Sequence, residues 1–592
     1  MEPTSVASDR RRALVLAGLA AAFAAKLAVW LLGANRGLDI GDEGVFLLAI
    51  ADPAHAPPLF EFYRLLTLLD APPQIGVVTI RLLRIAVELA AMLALAHAVF
   101  RWARERIPGV AERGLAAFLG IALLGALLGV GARGFGYNDA TQAVACLAVA
   151  CGFRLLALAP GQRRRRLAWA AAGGFAVGFQ LFVKFPTALL LGALGLTGAL
   201  ALPGAAPRAR VAVAGAFAAG AAAAIGLFVL ANGGVAGLVA KWREAQELNR
   251  VAGYGVREIL AVYWHHDLGS HVNALRLWTA AAISGLVAWR WLRGRPDRLD
   301  LALCAALAVG TAVLALGSAT FHAVNVHPSL VFLFCLVELL APLAIGVAYL
   351  GADSGSSLRS GARLLPLLIL FALPLVAMVG TNVALTRKLP AHVAPMFVGF
   401  AVLLPALRAR GLPRFAATSL GLLAAATSVV FVVHQVFLPY GLPSPLYRQR
   451  YATSVLPGLR VDLATKMLVE DLDARLRAAG FARGDPIVAL DFMPGLVWAL
   501  GGRSPGFPFF HAENPALNCW ALARSDDPRP PFLILGQDML LAQRDCLRGA
   551  VFPDDFVSLG ALGNPYEHAI QYFFGGPPMP YLRVFAPRRE TH

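Results

Sequence analysis

The sequence predicts an α-helical polytopic membrane protein with a C-terminal α/β domain, and three observations predict it. Of 592 residues, 58% are hydrophobic and only 15% charged, and mean hydropathy is +0.65. Apolar runs long enough to span a bilayer recur from residue 13 to residue 438. Residues 439–592 then change character, with mixed charge, many prolines and short apolar runs over an ordinary domain length. The chain therefore divides into a membrane domain, 1–438, and a soluble domain, 439–592. A net charge of +17 would suggest nucleic acid in a soluble protein. Here the arginines sit in short loops between apolar runs, as orientation signals do, so nucleic acid is not an expected partner.

The expected spans are 13–33, 76–100, 114–132, 138–158, 168–183, 185–203, 211–231, 273–292, 299–317, 329–350, 364–381, 393–407 and 415–438, thirteen in all. The first follows Arg10, Arg11 and Arg12 and is longer than a signal-peptide core, so it reads as retained. Lys26 lies past its midpoint and is expected to snorkel outward. With the N-terminus inside, the loops at Arg101–Arg113, Arg163–Arg166, Arg208–Arg210, Arg293–Arg298, Arg359–Arg363 and Arg408–Arg414 all fall inside. An odd number of spans places the tail outside. Pro186 splits an almost continuous apolar stretch, but reading 168–203 as one broken helix would flip every later loop.

Several charged residues fall on the outer side. Asp39, Asp42 and Glu43 follow the first span, in Asp39-Ile40-Gly41-Asp42-Glu43-Gly44. They read either as a solvated loop or as the carboxylates a general base requires. Residues 58–70 read as an amphipathic helix in the interface, shaping a groove for a lipid tail or only sealing the loop to the bilayer. Arg84 and Glu88, four apart, can pair on one helix face, whereas Arg81 has no obvious local partner and could meet a phosphate. In the turn Arg133-Gly134-Phe135-Gly136-Tyr137-Asn138-Asp139, Asn138 or Asp139 either caps the next helix or faces the same cleft as Asp42. Lys184, after the glycine-rich stretch Gly173–Gly178 and before Phe185-Pro186, either snorkels or neutralises a phosphate leaving group.

These features together resemble the GT-C superfamily of membrane glycosyltransferases, nearest the protein O-mannosyltransferase and lipid A aminoarabinose transferase branch. Two patterns carry the likeness: the Asp42-Glu43 pair early in the first outside loop, and a glycine-rich helix ending in Lys184-Phe185-Pro186. The resemblance implies Asp42 as general base, Glu43 as its partner, and Lys184 as a phosphate contact. Arg81, Arg133, Asp139 and Asp39 join as substrate-binding candidates on the same face. It implies a polyprenyl-phosphate sugar as donor, inversion by single displacement, and a glycan, lipid or protein acceptor. The third outside loop, 233–272, is too short for the β-trefoil of the protein mannosyltransferases.

No cofactor is certain from the sequence, and a divalent metal is possible. His265, His266, Asp267 and His271, with His322 and His327 elsewhere, show no diagnostic metal spacing, so a divalent metal is not indicated. In the tail, residues 461–480 read as an amphipathic helix, 487–490 and 532–535 as strands, and Asp538 opens a helix. Asp485 and Asp491 could be catalytic, but turn and strand-end carboxylates are more often structural. Cys146, Cys151, Cys304 and Cys335 lie in apolar spans, while Cys519 and Cys546 lie in the tail, where an oxidising compartment predicts a disulfide. The competing functional classes are a transporter or flippase, with Glu338 its best midplane residue, and a non-catalytic assembly protein. The alanine- and arginine-rich composition points to a bacterial inner membrane.

Overall fold

The computed structural model describes residues 4–53, 61–65, 76–107, 109–128, 133–159, 161–269, 357–381, 383–385, 392–409, 428, 432–433, 435–437, 439–508, 510–538, 544–567 and 578–588. The expected spans 273–292, 299–317 and 329–350, nearly all of 415–438, and the residues Cys304, Cys335, His271, His322, His327 and Glu338 lie outside them.

Helices dominate the first part: α1 (Thr4–Gly33), α2 (Asp42–Ala51), α3 (Val77–Ala103), α4 (Val110–Leu124), α5 (Tyr137–Ala157), α6 (Arg163–Gln180), α7 (Phe185–Leu200), α8 (Pro207–Ala231), α9 (Val235–Val251) and α10 (Val256–Val262). After the break come α11 (Ser357–Met378) and α12 (Ala394–Ala409). Among the described residues, four segments are long and apolar enough to cross a bilayer: Ala13–Gly33, Val77–Ala103, Tyr137–Ala157 and Pro207–Ala231. Those within α4, α7, α11 and α12 are shorter. α4 stops at Leu124, well before the expected end at 132.

The stretch 168–203 is two helices. Pro186 sits in the first turn of α7, where its missing N–H costs nothing, and α6 packs beside α7. Glycines set the approach of α6 to α8. A Cβ on Gly174 would stand 1.8 Å from the Phe217 carbonyl oxygen, one on Gly178 2.4 Å from that of Ala221, and one on Gly220 1.9 Å from that of Ala171. Any larger side chain there would force the backbones apart.

Lys26 corrects the snorkelling expectation. It is 1% exposed, and its ammonium donates to the carbonyl of Leu124, the last residue of α4, and to Ser428 Oγ at 2.9 Å. The carbonyls at a helix C-terminus lack intrahelical partners and carry partial negative charge, so a buried lysine is held there. Lys184 does the same for α11, donating to Ala377 O at 2.6 Å.

The tail is a small α/β unit. α13 (Leu463–Ala478) is capped by Asp462, whose side chain accepts from Thr465 N. β1 (Tyr451–Ala452) pairs antiparallel with β2 (Arg460–Val461). A four-stranded sheet has the order β3 (Ile487–Ala489), β4 (Phe532–Leu535), β6 (Tyr581–Pro587), β5 (Phe556–Gly563). β3 and β4 run parallel, and the other neighbours antiparallel. Cys519 and Cys546 form a disulfide, with Cα atoms 5.2 Å apart. Cys146 and Cys151 are buried free thiols.

The tail shares its apolar core with the segment after α1. Leu38, Ile40, Val45, Phe46 and Leu47 are buried together with Leu468, Leu472 and Leu476 of α13 and with Leu496, Val497 and Tyr566. Gly495 N donates to Ile40 O at 2.7 Å, Gly37 N to Arg460 O at 2.7 Å, and Tyr566 Oη to Leu38 O at 2.8 Å. A Cβ on Gly44 would lie 2.1 Å from Gly495 N, so α2 touches the helix Pro494–Ala499 backbone to backbone.

Candidate functional site

The chain leaves α1 at Gly33 and turns toward α2, and this turn exposes carbonyls that no helix satisfies. Two arginines hold them. Arg81, from α3, donates from Nη1 to Ala34 O and Arg36 O, both at 2.9 Å, and from Nη2 to Gly37 O at 2.8 Å. Its remaining hydrogens go to Glu43, Nε to Oε1 at 2.7 Å and Nη2 to Oε2 at 2.6 Å. All five guanidinium N–H groups are thereby used. The expectation that Arg81 could meet a phosphate is corrected: its partner is Glu43, 38 residues away in the chain, and none of its hydrogens remains for an anion. Arg133 donates to Arg36 O at 2.6 Å and Gly33 O at 2.5 Å, so it too closes this turn.

The three acidic residues separate by environment. Glu43 is fully buried and held two-pronged by Arg81. Asp39 is 1% exposed and accepts from Gly41 N at 2.8 Å and Glu43 N at 3.3 Å, capping the start of α2. Burial, with the charges of Glu43 and Asp42 beside it, pushes the Asp39 carboxyl well above the usual carboxylate range. Gly441 closes over it, since a Cβ there would lie 2.3 Å from Asp39 Oδ1. Asp42, at the first position of α2, stays partly exposed. Its Oδ2 accepts a 2.6 Å hydrogen bond from Tyr440 Oη, and its Oδ1 accepts none from any described residue. Burial and the nearby Asp42 charge raise the Tyr440 hydroxyl well above its ordinary value, which keeps it a donor.

Asp139 fulfils the capping expectation: its Oδ2 accepts from Gly136 N at 2.8 Å at the start of α5. Its Oδ1 also meets Arg84 Nη2 at 2.9 Å, and Arg84 pairs with Glu88 at 2.8 Å, as its spacing predicts. The Arg84 guanidinium lies 5.0 Å from the Trp30 ring centre, tying α1, α3 and α5 together. Lys184 is positioned by different elements, α7 and α11. Asp39, Asp42, Glu43, Arg81 and Arg133 are thus brought into one network, Asp139 into the adjoining one, and Lys184 into neither of the hydrogen-bond sets given above.

Residues 61–65 form a short helical turn with Phe62 and Tyr63 buried, and Tyr63 Oη donates to Phe135 O at 2.5 Å. Tyr440 was not singled out by the sequence. It lies 398 residues from Asp42 and belongs to the tail, so no local pattern could pair them. Asp485 is structural, accepting from Ala482 N at 2.8 Å and meeting Arg529. Asp491 sits at the carboxyl end of β3 with φ of 66° and is 5% exposed, its Oδ2 without a hydrogen-bond partner. Among the described residues, no three His, Cys, Asp or Glu side chains are grouped to hold a metal ion.

A cleft of about 980 Å³ lies between the C-terminal end of α2, α9 and the tail, and neither Asp42 nor Lys184 lines it. No protein-family model, curated protein sequence or solved structure matches the chain.

Proposed function

We propose that the chain is a multi-pass inner-membrane glycosyltransferase of GT-C type, with about thirteen spans. Its N-terminus lies in the cytoplasm and its tail in the periplasm. It moves a sugar with inversion from a polyprenyl-phosphate donor to a glycan, lipid or protein acceptor at the outer face. The observation that carries this reading is the separation of the three carboxylates. Asp39 and Glu43 are buried and committed to the turn, whereas Asp42 keeps an exposed oxygen and a fixed orientation. A general base needs both accessibility and a held geometry.

In the reaction, an acceptor hydroxyl oxygen attacks the anomeric carbon while the bond to the lipid phosphate breaks. The hydroxyl proton passes to Asp42 Oδ1, and the electron pair of the broken bond leaves on the phosphate. Tyr440 holds Oδ2, so that Oδ1 faces the acceptor. Glu43 acts through Arg81 as a positioning residue, fixing the turn on which Asp42 stands. Lys184 offers positive charge to the leaving phosphate. Its ammonium is anchored on Ala377 O at 2.6 Å, and a held positive charge lowers the cost of the charge developing on the phosphate.

The contacts of the tail support the assigned sidedness. It touches the 34–52 segment and, through Val251 and Glu247, the end of α9, which positive-inside counting puts on one side. The test is a screen of radiolabelled polyprenyl-phosphate sugars with purified protein. Transfer of label from one of them supports the reading. A protein that neither binds nor turns over any of them is not this enzyme.

A further inference from the structure

The cleft beside α2 is built from paired opposite charges. On one wall Lys241 meets Glu244 at 2.8 Å within α9, and Asp52, which closes α2, meets Arg503 of the tail at 3.3 Å. On the other, Arg524 meets Glu247 and lies over the Trp520 ring, 3.9 Å from its centre. Two further wall groups make no hydrogen bond or ion pair with any described residue: Arg243, which is exposed, and the Ser504 hydroxyl.

This chemistry discriminates among ligands. A lipid tail needs a continuous apolar wall, and the ion pairs interrupt it. A polyanion would meet Asp52, Glu244, Glu247, Asp526 and Asp527. A sugar hydroxyl both donates and accepts, so it bridges a carboxylate and a guanidinium at once without disturbing their charge balance. Its ring oxygens and hydroxyls accept from Arg243 and Ser504. A volume of about 980 Å³ is that of a site holding several rings.

We infer that this cleft binds a glycan chain, held between α9 and the tail. The inference deepens the proposed function by naming the acceptor as a glycan, and in that respect rests on it. The ten residues of α2 span about 15 Å, so the cleft grips the chain at a distance from Asp42 and is not the reacting centre. Holding a remote part of a substrate is a normal way to position its reacting end.

The experiment uses the purified full-length protein in nanodiscs and saturation-transfer NMR with three probes: maltohexaose, α-1,6-mannohexaose and α-1,5-arabinohexaose. At least one binds the wild type. Arg243→Ala weakens it by about tenfold, equivalent to about 1.4 kcal/mol, and Ala240→Trp, which fills the cleft from an exposed helix position, abolishes it. Asp42→Asn leaves binding unchanged. Absence of binding for all three, or binding that survives Ala240→Trp, overturns the glycan site even if Asp42→Asn stops transfer. Binding with the stated losses, together with full transfer by Asp42→Asn, upholds the cleft and removes the assigned base instead.

Discussion

Replacing Arg81 with methionine separates a structural arginine from a substrate-binding one. The substitution keeps the apolar stem and removes five hydrogen bonds, two of them to Glu43. Glu43 is fully buried, so its carboxylate is stranded. Removing one partner of a buried pair costs about 3–5 kcal/mol. The carbonyls of Ala34, Arg36 and Gly37 lose donors as well, at about 1 kcal/mol or more for each one left unsatisfied. The sum is comparable to the whole stability of many domains, about 5–15 kcal/mol. The expected result is a large drop in melting midpoint by intrinsic fluorescence in detergent, with the turn 33–37 newly open to protease. Adding Glu43→Gln removes the stranded charge and recovers about 1–3 kcal/mol relative to the sum of the single variants. An Arg81→Met protein that melts like the wild type yet fails to transfer sugar refutes this reasoning. It would return Arg81 to the substrate.

Gly44→Ala places a Cβ 2.1 Å from Gly495 N, which only a separation of α2 from the tail relieves. A loss of about 1–3 kcal/mol and faster proteolytic release of the tail are expected, and unchanged release contradicts the close contact. Tyr440→Phe removes one hydrogen bond from Asp42, so transfer falls less than in Asp42→Asn and stability drops by about 0.5–1.5 kcal/mol. Equal losses in the two variants would give Tyr440 a role beyond orientation. Burial raises Asp491 to about 6 and lowers His511 to about 4. The folded state then binds the Asp491 proton more tightly than the unfolded chain, so this group favours folding increasingly as pH falls from about 6 toward about 4. His511 acts oppositely: its stabilisation is complete above about 6.5 and fades as pH falls toward about 4. Compared with the wild type, Asp491→Asn should therefore lose stability on acidification across this window, by up to about 3 kcal/mol. Superimposed pH profiles contradict the assignment.

What the sequence made legible was whatever rests on neighbours in the chain. Apolar windows located α3, α5 and α8 within a few residues, Pro186 marked the break before α7, and the i,i+4 spacing of Arg84 and Glu88 gave their pair. Helical spacing of leucines likewise located α13. Long-range partners were not legible. Glu43 and Arg81 meet across 38 residues and Asp42 and Tyr440 across 398, so the acidic run looked uniformly available when two of its members were committed. Lys26 was misread because snorkelling assumes water beyond the helix end, whereas Leu124 O waits beside it. β5 and β6 went unread: β5, Phe556–Gly563, carries glycines and a register shift near Gly560, which blur the alternation of a strand.

The most direct measurement is the single-turnover rate of sugar transfer by Asp42→Asn, in purified protein shown by melting to be folded. Asparagine preserves shape and can still accept from Tyr440, but it cannot take a proton. Loss of a general base lowers the rate by about 10²–10⁴, with donor binding retained. Transfer at the wild-type rate would contradict the role of Asp42 and the catalytic reading built on it.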